Sequence, residues 1–308
     1  MYKLGVWSLS NHFINKVLPS IKNNPKIKII KVYTNKYLRK NNIKLDFTNS
    51  LDNFLNSDFD FVYISSINSN HFKNCKIALE NKKNVICEKP ICLKPEQLNR
   101  LKNIAEKNKK IFLEMNQYTY HPLFKNVKKK IIKKKLGKIF YGKCNFEIPL
   151  KDKKNFRFNK KLGGGALYDV GYYPISILYT VFDSKKIEII EKKIIKNKKI
   201  DYKGNAFLIN NDNIAFDLSW SLKDSYKNFI HIYGEEGFLK SNFFFSKKIV
   251  QNGQIELFIN KTAKTEKIKR ANQINLAFIY MMQNKLKLFN DNYNQSLKIL
   301  KTVEKLKN

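Results

Sequence analysis

Segments with strand character and segments with helix character alternate through the first third of this chain. Short apolar runs predict the strands, and apolar stripes at helical spacing predict the helices between them. The predicted strands are Lys3–Trp7, Ile27–Tyr33, a weak one near Asp46, Phe59–Ser65, Asn84–Cys87 and Ile111–Glu114; the predicted helices are Asn11–Ile21, Ser50–Leu55, Asn70–Glu80 and a stretch from Lys94 to about Lys109. This alternation is typical of a doubly wound, parallel α/β sheet.

The rhythm changes after Pro122, where strand-like segments follow one another with few helices between them. These segments are Lys138–Ile148, Ile187–Ile195, Ala206–Asn210, Ile214–Leu222 and Phe229–Tyr233, and two helices are predicted near Ala271–Lys285 and Ser296–Leu306. The pattern predicts an α+β domain built on a mainly antiparallel sheet. A chain of 308 residues has room for two domains, which we place at residues 1–118 and 119–308.

The chain carries a formal net charge of +35, from 60 basic and 25 acidic residues. Such a charge raises the possibility of nucleic-acid binding. Nearly all of it is lysine, however, whereas arginine is preferred for bidentate contacts to phosphates and bases. The densest lysine patch, residues 128–135, alternates with Val127, Ile131, Ile132 and Leu136, as in a helix with one apolar stripe and a solvated face. We therefore expect no specific nucleic-acid partner.

Other features favour a cytoplasmic protein. No segment approaches the ~18 apolar residues that a membrane span requires. The first residues lack the basic, apolar and small-residue pattern of a signal peptide. The four cysteines, at positions 75, 87, 92 and 144, form no CxxC pair and are interpreted as free thiols. Their spacing also argues against a zinc site, so we expect neither a metal nor a membrane partner.

Three polar or rigid residues, Glu88, Lys89 and Pro90, follow the predicted strand Asn84–Cys87. In an open α/β sheet, ligands bind at the carboxyl ends of the strands. A lysine held there can be desolvated and take part in proton handling, and the proline restricts it to extended backbone. The alternative is a surface strand end with a solvated Glu and Lys.

The turn after the first strand resembles a glycine-rich dinucleotide turn that lacks its glycines. Ser8 and Ser10 occupy the glycine positions, Phe13 occupies a position for a small residue, and Asn11 begins the predicted helix. A serine hydroxyl could donate to phosphate, but a Cβ is costly where φ must be positive. An ordinary strand-to-helix turn is the alternative. The second strand ends at Thr34, Asn35 and Arg39 without the acid that binds the ribose of NAD, which favours NADP over NAD.

A glycine triplet, Gly163–Gly165, precedes Asp169 and Tyr173. In a chain with only 11 glycines, three in succession indicate close packing against a ligand or another backbone. Asp169 and Tyr173 are four residues apart, so they share a face if the segment is helical, although Pro174 disfavours an uninterrupted helix. A tyrosine beside a lysine ammonium can act as a general acid or base. The alternative is a buried Tyr with a capping Asp.

Taken in order, these motifs resemble the Gfo/Idh/MocA oxidoreductases, and the segment Asn155–Arg157 resembles the branch with dihydrodiol and xylose dehydrogenases and glucose-fructose oxidoreductase. The resemblance covers roughly residues 1 to 182 and implies a Rossmann first domain that binds NADP or NAD. It implies that Lys89 contacts nicotinamide and substrate, that Tyr173 transfers the proton and that Asp169 assists it. The other positions that it implicates are Ser66, Asn68, His71 and Glu88 for the cofactor. Our own prediction adds Asn116, Tyr120 and Arg157 for the substrate pocket.

The resemblance further implies a cis Lys89–Pro90 bond and a homodimer or homotetramer formed through the second sheet. We therefore expect an NAD(P)-dependent oxidoreductase that transfers hydride to or from a secondary alcohol of a sugar, sugar derivative or cyclitol. A non-catalytic, nucleotide-binding relative that serves as a subunit or sensor is the alternative, because the glycines of the turn are missing.

Overall fold

The computed structural model describes residues 1–35, 44–152, 154–197 and 199–308. The chain folds into two compact units. The first unit comprises Met1–Gln117 and Ile274–Leu297, and the second comprises Tyr118–Gln273 and Lys298–Asn308. The first unit therefore includes a late segment that the continuous division at residue 118 assigns to the second domain.

The first unit contains a six-stranded parallel sheet in the order β3-β2-β1-β4-β5-β6. Its strands are β1 (Tyr2–Trp7), β2 (Ile27–Tyr33), β3 (Phe47–Thr48), β4 (Phe61–Ile64), β5 (Asn84–Glu88) and β6 (Phe112–Met115). The strands β4, β5 and β6 are almost wholly buried, as continuous apolar runs in a parallel sheet require. The predicted doubly wound sheet is confirmed.

Helices connect these strands. The first, α1, begins at Asn11, is π-helical at Phe13–Val17 and continues as α-helix at Leu18–Ile21. The next helices are α2 (Leu51–Leu55), α3 (Asn68–Glu80) and α4 (Pro95–Lys107). Proline at the first position of α4 has no N–H to leave unpaired and suits a helix start.

The second unit contains an eight-stranded sheet in the order β14-β13-β12-β11-β7-β10-β9-β8. Its strands are β7 (Ile139–Glu147), β8 (Ile187–Asn197), β9 (Ile200–Asn210), β10 (Ala215–Ser221), β11 (Lys227–Gly234), β12 (Gly237–Asn242), β13 (Gln251–Ile259) and β14 (Thr262–Ala271). Neighbouring strands are antiparallel except for β7 and β10, which are parallel. The prediction of a mainly antiparallel sheet is thus confirmed.

The described residues also form the helices α5 (Pro122–Ile132), α6 (π-helical at Leu167–Gly171, then α-helical at Tyr172–Thr180), α7 (Gln273–Gln283) and α8 (Lys285–Lys307). The apolar stripe predicted a lysine-rich helix that continues to Leu136. In the structure α5 ends at Ile132, whose side chain is exposed. Val127 of that stripe is buried as expected. Among the described residues, no helix is both long enough and apolar enough to cross a membrane.

Candidate active site

The turn that follows β1 adopts the backbone conformation of a glycine turn without having a glycine. Ser8 has a φ of 87°, which lies in the left-handed region that glycine favours. Its N–H donates to the carbonyl of Tyr33 at 2.9 Å, so the turn is fastened to the end of the neighbouring strand β2. The expectation that a Cβ here meets a positive φ is confirmed.

A chain of hydrogen bonds supports this turn. The Ser65 hydroxyl donates to the Ser8 carbonyl at 2.9 Å, and the Ser10 hydroxyl donates to Ser65 Oγ at 3.1 Å. Ser10 Oγ in turn accepts from the N–H of Phe13 at 3.0 Å and so caps the start of α1. Sequence reasoning missed Ser65, although its place directly after a buried strand was a usable signal.

Phe13 occupies the position where a small residue was expected, and it is fully buried. Its ring packs against Tyr63, with ring centroids 6.2 Å apart. The helix is π-helical over this residue and the four that follow, and a π-turn is wider than an α-turn. The large side chain is therefore held inside the unit beside a local change in helix geometry.

Glu88, the last residue of β5, is a carboxylate in a hydrogen-bonded setting. Tyr63 donates its hydroxyl to Glu88 Oε1 at 2.7 Å, and Nε2 of His12 lies 3.4 Å from the same oxygen. Burial alone would raise the pKa of Glu88, but His12, the Tyr63 hydroxyl and the Lys89 charge together outweigh it and lower the pKa. The carboxylate is therefore ionised at neutral pH and fixes the carboxyl end of β5.

Lys89 follows β5 directly and is only 9% exposed. The Lys89–Pro90 peptide bond is cis, as the family resemblance implied. His71 lies beside this bond, with Nδ1 2.8 Å from the Pro90 carbonyl oxygen and Nε2 2.8 Å from the Ser66 carbonyl oxygen. Burial lowers the pKa of His71 more than these carbonyls raise it, so the neutral ring donates to one of them.

Glu114 on β6 holds the segment after Pro90 in place. Its Oε1 accepts from the N–H of Ile91 at 2.8 Å, and its Oε2 accepts from the Ser296 hydroxyl at 2.6 Å. Asn292 adds two hydrogen bonds to the Glu114 backbone. Sequence reasoning missed Glu114, because only the fold brings β6, residue 91 and α8 together.

The remaining predicted cofactor and substrate positions of the first unit lie near strand ends. Thr34 is buried and Asn35 exposed, just after β2, while Arg39 lies outside the described residues. Asn68 is the buried first residue of α3, and Ser66 Oγ accepts from Asn74 at 3.1 Å. Asn116 is buried immediately after β6.

In the second unit, the glycine triplet packs against another stretch of backbone. Gly163 and Gly165 have φ values of 75° and 120°. A Cβ on Gly164 would lie 2.5 Å from the carbonyl oxygen of Arg157 and 2.6 Å from that of Phe156. Of the two alternatives that the sequence left open for the triplet, this structure shows close packing on backbone.

The triplet leads into α6, which carries Asp169 and Tyr173 on one continuous helix. Asp201 on β9 accepts from the N–H of Leu167 at 2.6 Å and satisfies a donor at the helix start. Pro174 does not break the helix, because the π-helical turn directly before it changes the register in which proline would clash. Asp201 is another contributor that sequence reasoning missed.

Asp169 forms an ion pair with Arg157, whose Nε donates to Oδ2 of the carboxylate. The pKa of Arg157 is raised, chiefly by the Asp169 charge and in small part by Tyr173. Tyr120, the other predicted substrate residue of this unit, lies half-buried at the end of a 3₁₀ turn, Gln117–Tyr120. The structure thus brings Arg157, Asp169 and Tyr173 into one electrostatic cluster.

Aromatic rings surround the Tyr173 side chain. Phe146 meets it edge-to-face with centroids 4.9 Å apart, and Phe245 and Tyr118 lie at 5.8 and 6.0 Å. The Tyr118 hydroxyl shares a hydrogen bond of 2.6 Å with Ser176, one turn along α6. These contacts limit the motion of the Tyr173 ring and leave its hydroxyl as the polar end of an apolar side chain.

Comparisons with known proteins match both halves of the chain to one family. The model described as "Oxidoreductase family, NAD-binding Rossmann fold" matches residues 10–116, and the "GFO/IDH/MocA C-terminal domain" model matches residues 124–240. Among curated proteins, trans-1,2-dihydrobenzene-1,2-diol dehydrogenases are similar: that of Xenopus laevis is 29% identical over 133 residues, and that of Xenopus tropicalis is 24% identical over 204 residues. The matches cover 43% and 65% of this chain, and 40% and 62% of those proteins' own length.

Among solved structures, a 3-ketoreductase from Actinomadura kijaniata in complex with NADP and TDP-benzene superposes with a TM-score of 0.91. It is 20% identical, and the match covers 98% of this chain and 96% of the other, so it supports the fold. The parallel sheet and the large second sheet define a two-domain protein with a Rossmann first domain. The chain belongs to the Gfo/Idh/MocA oxidoreductase family.

Proposed function

We propose that this protein is an NAD(P)-dependent oxidoreductase that acts on a secondary alcohol, or the matching ketone, of a sugar, sugar derivative or cyclitol. The observation that carries the proposal is a buried lysine in one unit and a buried tyrosine in the other, Lys89 and Tyr173, each beside a carboxylate. The substrate class is supported by the relatives, which are named as dehydrogenases of a diol and of xylose and as reductases of nucleotide-linked sugars.

The first unit fits a dinucleotide at the turn after β1. Ser8 takes a left-handed conformation, and α1 begins at Asn11, so the N–H groups of its first turn are available to a phosphate. We assign the turn that contains Ser8, Ser10 and Asn11 to the pyrophosphate. Ser66, Asn68 and His71 lie on the segment that follows β4, and Glu88 is the last residue of β5; we assign these four residues to the remainder of the cofactor.

We propose NADP as the preferred cofactor. Thr34 and Asn35 follow β2 without a carboxylate between them, and a carboxylate there would hold the ribose of NAD and repel a 2′-phosphate. Arg39, which the sequence adds to this stretch, would supply positive charge. The lysine excess of the whole chain would attract the extra phosphate further at low ionic strength.

A nicotinamide, when bound, would supply or accept the hydride. In the oxidative direction, Tyr173 Oη would take the proton from the substrate hydroxyl, and the Lys89 ammonium would stabilise the developing alkoxide. In the reductive direction, the same hydroxyl would return the proton. Asp169 would orient the substrate and Tyr173, while Asn116, Tyr120 and Arg157 are proposed to line the substrate pocket.

Two measurements on the same variants test this function. Binding of NADPH and NADH is followed by fluorescence, and turnover is followed through nicotinamide absorbance with a panel of aldoses, nucleotide-linked ketosugars and cyclitols. Lys89→Met and Tyr173→Phe should each lower kcat by about a thousandfold or more while the fold is retained. Lys76→Met, at a half-buried position on α3, is the matched control.

Near-normal turnover in Lys89→Met would overturn the mechanism. If the wild-type protein binds a cofactor but turns over none of the panel, the non-catalytic, nucleotide-binding alternative gains support. If neither nucleotide binds at millimolar concentration, the oxidoreductase proposal fails.

We also propose that the protein forms a homodimer or homotetramer through the second sheet. Phe146 faces α6, so residues alternating with it on β7 face away from that helix. That opposite face carries half-buried rings, including Phe229, Tyr233 and Tyr141, and the buried Asn145 Oδ1 there has no hydrogen-bond partner among the described residues. Sedimentation of the wild type and of Phe229→Asp tests it, with a monomeric wild type as the contrary result.

A cytoplasmic location is proposed as well. All four cysteines are buried and free, as in proteins of a reducing compartment. Fractionation of cells that express the tagged protein is the direct test.

A further inference from the structure

The strained turn at Ser8 depends on one residue outside it. Ser65 lies just beyond β4, is 3% exposed, and contacts the turn through both its backbone and its side chain. Its N–H donates to the Trp7 carbonyl at 3.1 Å, and its hydroxyl donates to the Ser8 carbonyl at 2.9 Å. Two consecutive carbonyls of the β1 end are therefore held by one residue.

The direction of the hydrogen bonds is set by proton count. A hydroxyl has a single proton to donate. Ser65 uses its proton for the Ser8 carbonyl, so the Ser10 hydroxyl must donate to Ser65, and Ser10 Oγ then accepts from the Phe13 N–H. The result is a continuous series of hydrogen bonds from the first turn of α1 back to the carbonyl of Ser8.

We propose that Ser65 is a positioning residue that holds the glycine-free turn in the conformation that binds the cofactor pyrophosphate, an inference that rests on the proposed function. A residue with a side chain stays in the left-handed region only where its surroundings over-determine it. Here the Tyr33 carbonyl holds the Ser8 N–H, and Ser65 holds the Ser8 carbonyl. With the hydroxyl of Ser65 removed, the second restraint is lost and Ser8 can relax.

The same hydrogen bonds leave backbone N–H groups at the start of α1 to bind an anion. The Ser8 carbonyl, which would repel a phosphate, is occupied by Ser65, and Ser10 Oγ is occupied by Phe13. The Asn11 and His12 N–H groups lie at the helix start, where no i−4 helical acceptor exists for them. The serines therefore shape the turn, and backbone N–H groups are left to bind the phosphates.

The test compares Ser65→Ala, Ser8→Gly and the double variant. Dissociation constants for NADPH and NADH are measured by fluorescence, and folding is checked by circular dichroism. Ser65→Ala should weaken nucleotide binding about five- to tenfold, because two hydrogen bonds are lost. In the double variant, the introduced glycine needs no restraint to take a positive φ, so affinity should return to within about twofold of that of Ser8→Gly alone. Ser20→Ala, which removes a buried hydroxyl bonded to the Lys16 carbonyl one turn earlier, is the control.

Each outcome has a distinct meaning. Ser65→Ala binding as tightly as Ser20→Ala overturns the inference, and so does a loss of affinity that Ser8→Gly fails to restore. If a substrate is found, Ser65→Ala should raise KM for the cofactor and leave kcat at saturating cofactor unchanged; a lower kcat with unchanged KM also overturns it. Failure of the wild type to bind either nucleotide is instead the failure of the proposed function.

Discussion

Arg157 donates through Nε to Oδ2 of Asp169, and the guanidinium is fixed from its other side by Asn155. Asn155 Oδ1 accepts from the Arg157 N–H at 3.2 Å and from Nη1 at 3.4 Å. The carboxylate that is proposed to assist Tyr173 is therefore neutralised by a partner twelve residues earlier in the chain. The assignment of Arg157 to a substrate pocket stays a prediction, and its observed contact is with Asp169.

Removing the Arg157 charge should change the pH dependence of turnover. In Arg157→Gln, Asp169 loses the positive charge of Arg157, and a carboxylate near Tyr173 that is less neutralised disfavours the phenolate and raises the tyrosine pKa. The alkaline rise of kcat for alcohol oxidation should move up by about one pH unit. Arg157→Lys keeps the charge and should retain most of the wild-type profile, although it loses the planar contact. An identical profile for Arg157→Gln and wild type would contradict this role.

The glycine triplet should tolerate no side chain at its centre. In Gly164→Ala, the new Cβ would lie 2.5 Å from the Arg157 carbonyl oxygen, so the backbone that carries Arg157 must shift. We expect a loss of roughly 1–3 kcal/mol in stability and at least tenfold in kcat, since overpacking displaces the Arg157–Asp169 pair. Cofactor affinity should be unchanged because the turn after β1 belongs to the first unit. Wild-type kcat in this variant would show that the pair tolerates the shift.

The parallel sheet was predictable because its strands are short, mostly apolar runs such as Phe61–Ile64, bounded by turn residues. The strands β12, β13 and β14 were missed. On β14, nearly every side chain is exposed, so lysines and threonines hide the alternation that marks a strand. The helix α8 begins at Lys285, earlier than the predicted Ser296, because its first turns are rich in lysine and asparagine.

The motifs for Lys89 and Tyr173 were visible in the sequence, whereas the residues that support them were not. Ser65, Glu114 and Asp201 each act on a segment distant in sequence, and a single chain without its fold gives no sign of such pairs. The sequence indicated only that a positive φ at Ser8 is unfavourable. The hydrogen bonds from Ser65 that offset this strain depend on the pairing of β4 with β1, which the sequence does not show.

Glu114 should be essential for stability of the first unit. Glu114→Ala leaves the buried Ile91 N–H and the Ser296 hydroxyl without an acceptor, at a cost of about 2–3 kcal/mol. The chain has two tryptophans, Trp7 and Trp220, so a Trp220→Phe background leaves Trp7 to report unfolding of the first unit in urea. Glu106→Ala, at an exposed position on α4, should cost less than about 0.5 kcal/mol. Equal costs for the two variants would contradict the role of Glu114.

His121 should make the second unit less stable in mild acid. Its Nδ1 accepts from the Leu123 N–H at 3.0 Å at the start of α5, and its Nε2 lies 3.3 Å from the Gln251 carbonyl, so the ring is neutral with the proton on Nε2. Burial, and then the charge of Lys247, lowers the pKa of His121 to about 4. Between about pH 6.5 and about pH 4 the unfolded chain therefore binds a proton that the folded unit does not, and stability falls as the pH falls through this window.

The lowered pKa of His121 sets the size of the acid effect. The free energy of unfolding of the second unit should fall by at most about 3 kcal/mol across the window. Urea unfolding is followed through Trp220 in a Trp7→Phe background, at several pH values between about 7 and about 4. His121→Asn keeps an acceptor for the helix start but does not titrate, so its stability should fall less steeply with acid. His231, whose pKa is also lowered to about 4, is present in both proteins and contributes equally to both slopes. Parallel slopes for wild type and His121→Asn would mean that His121 keeps its ordinary pKa in the folded unit.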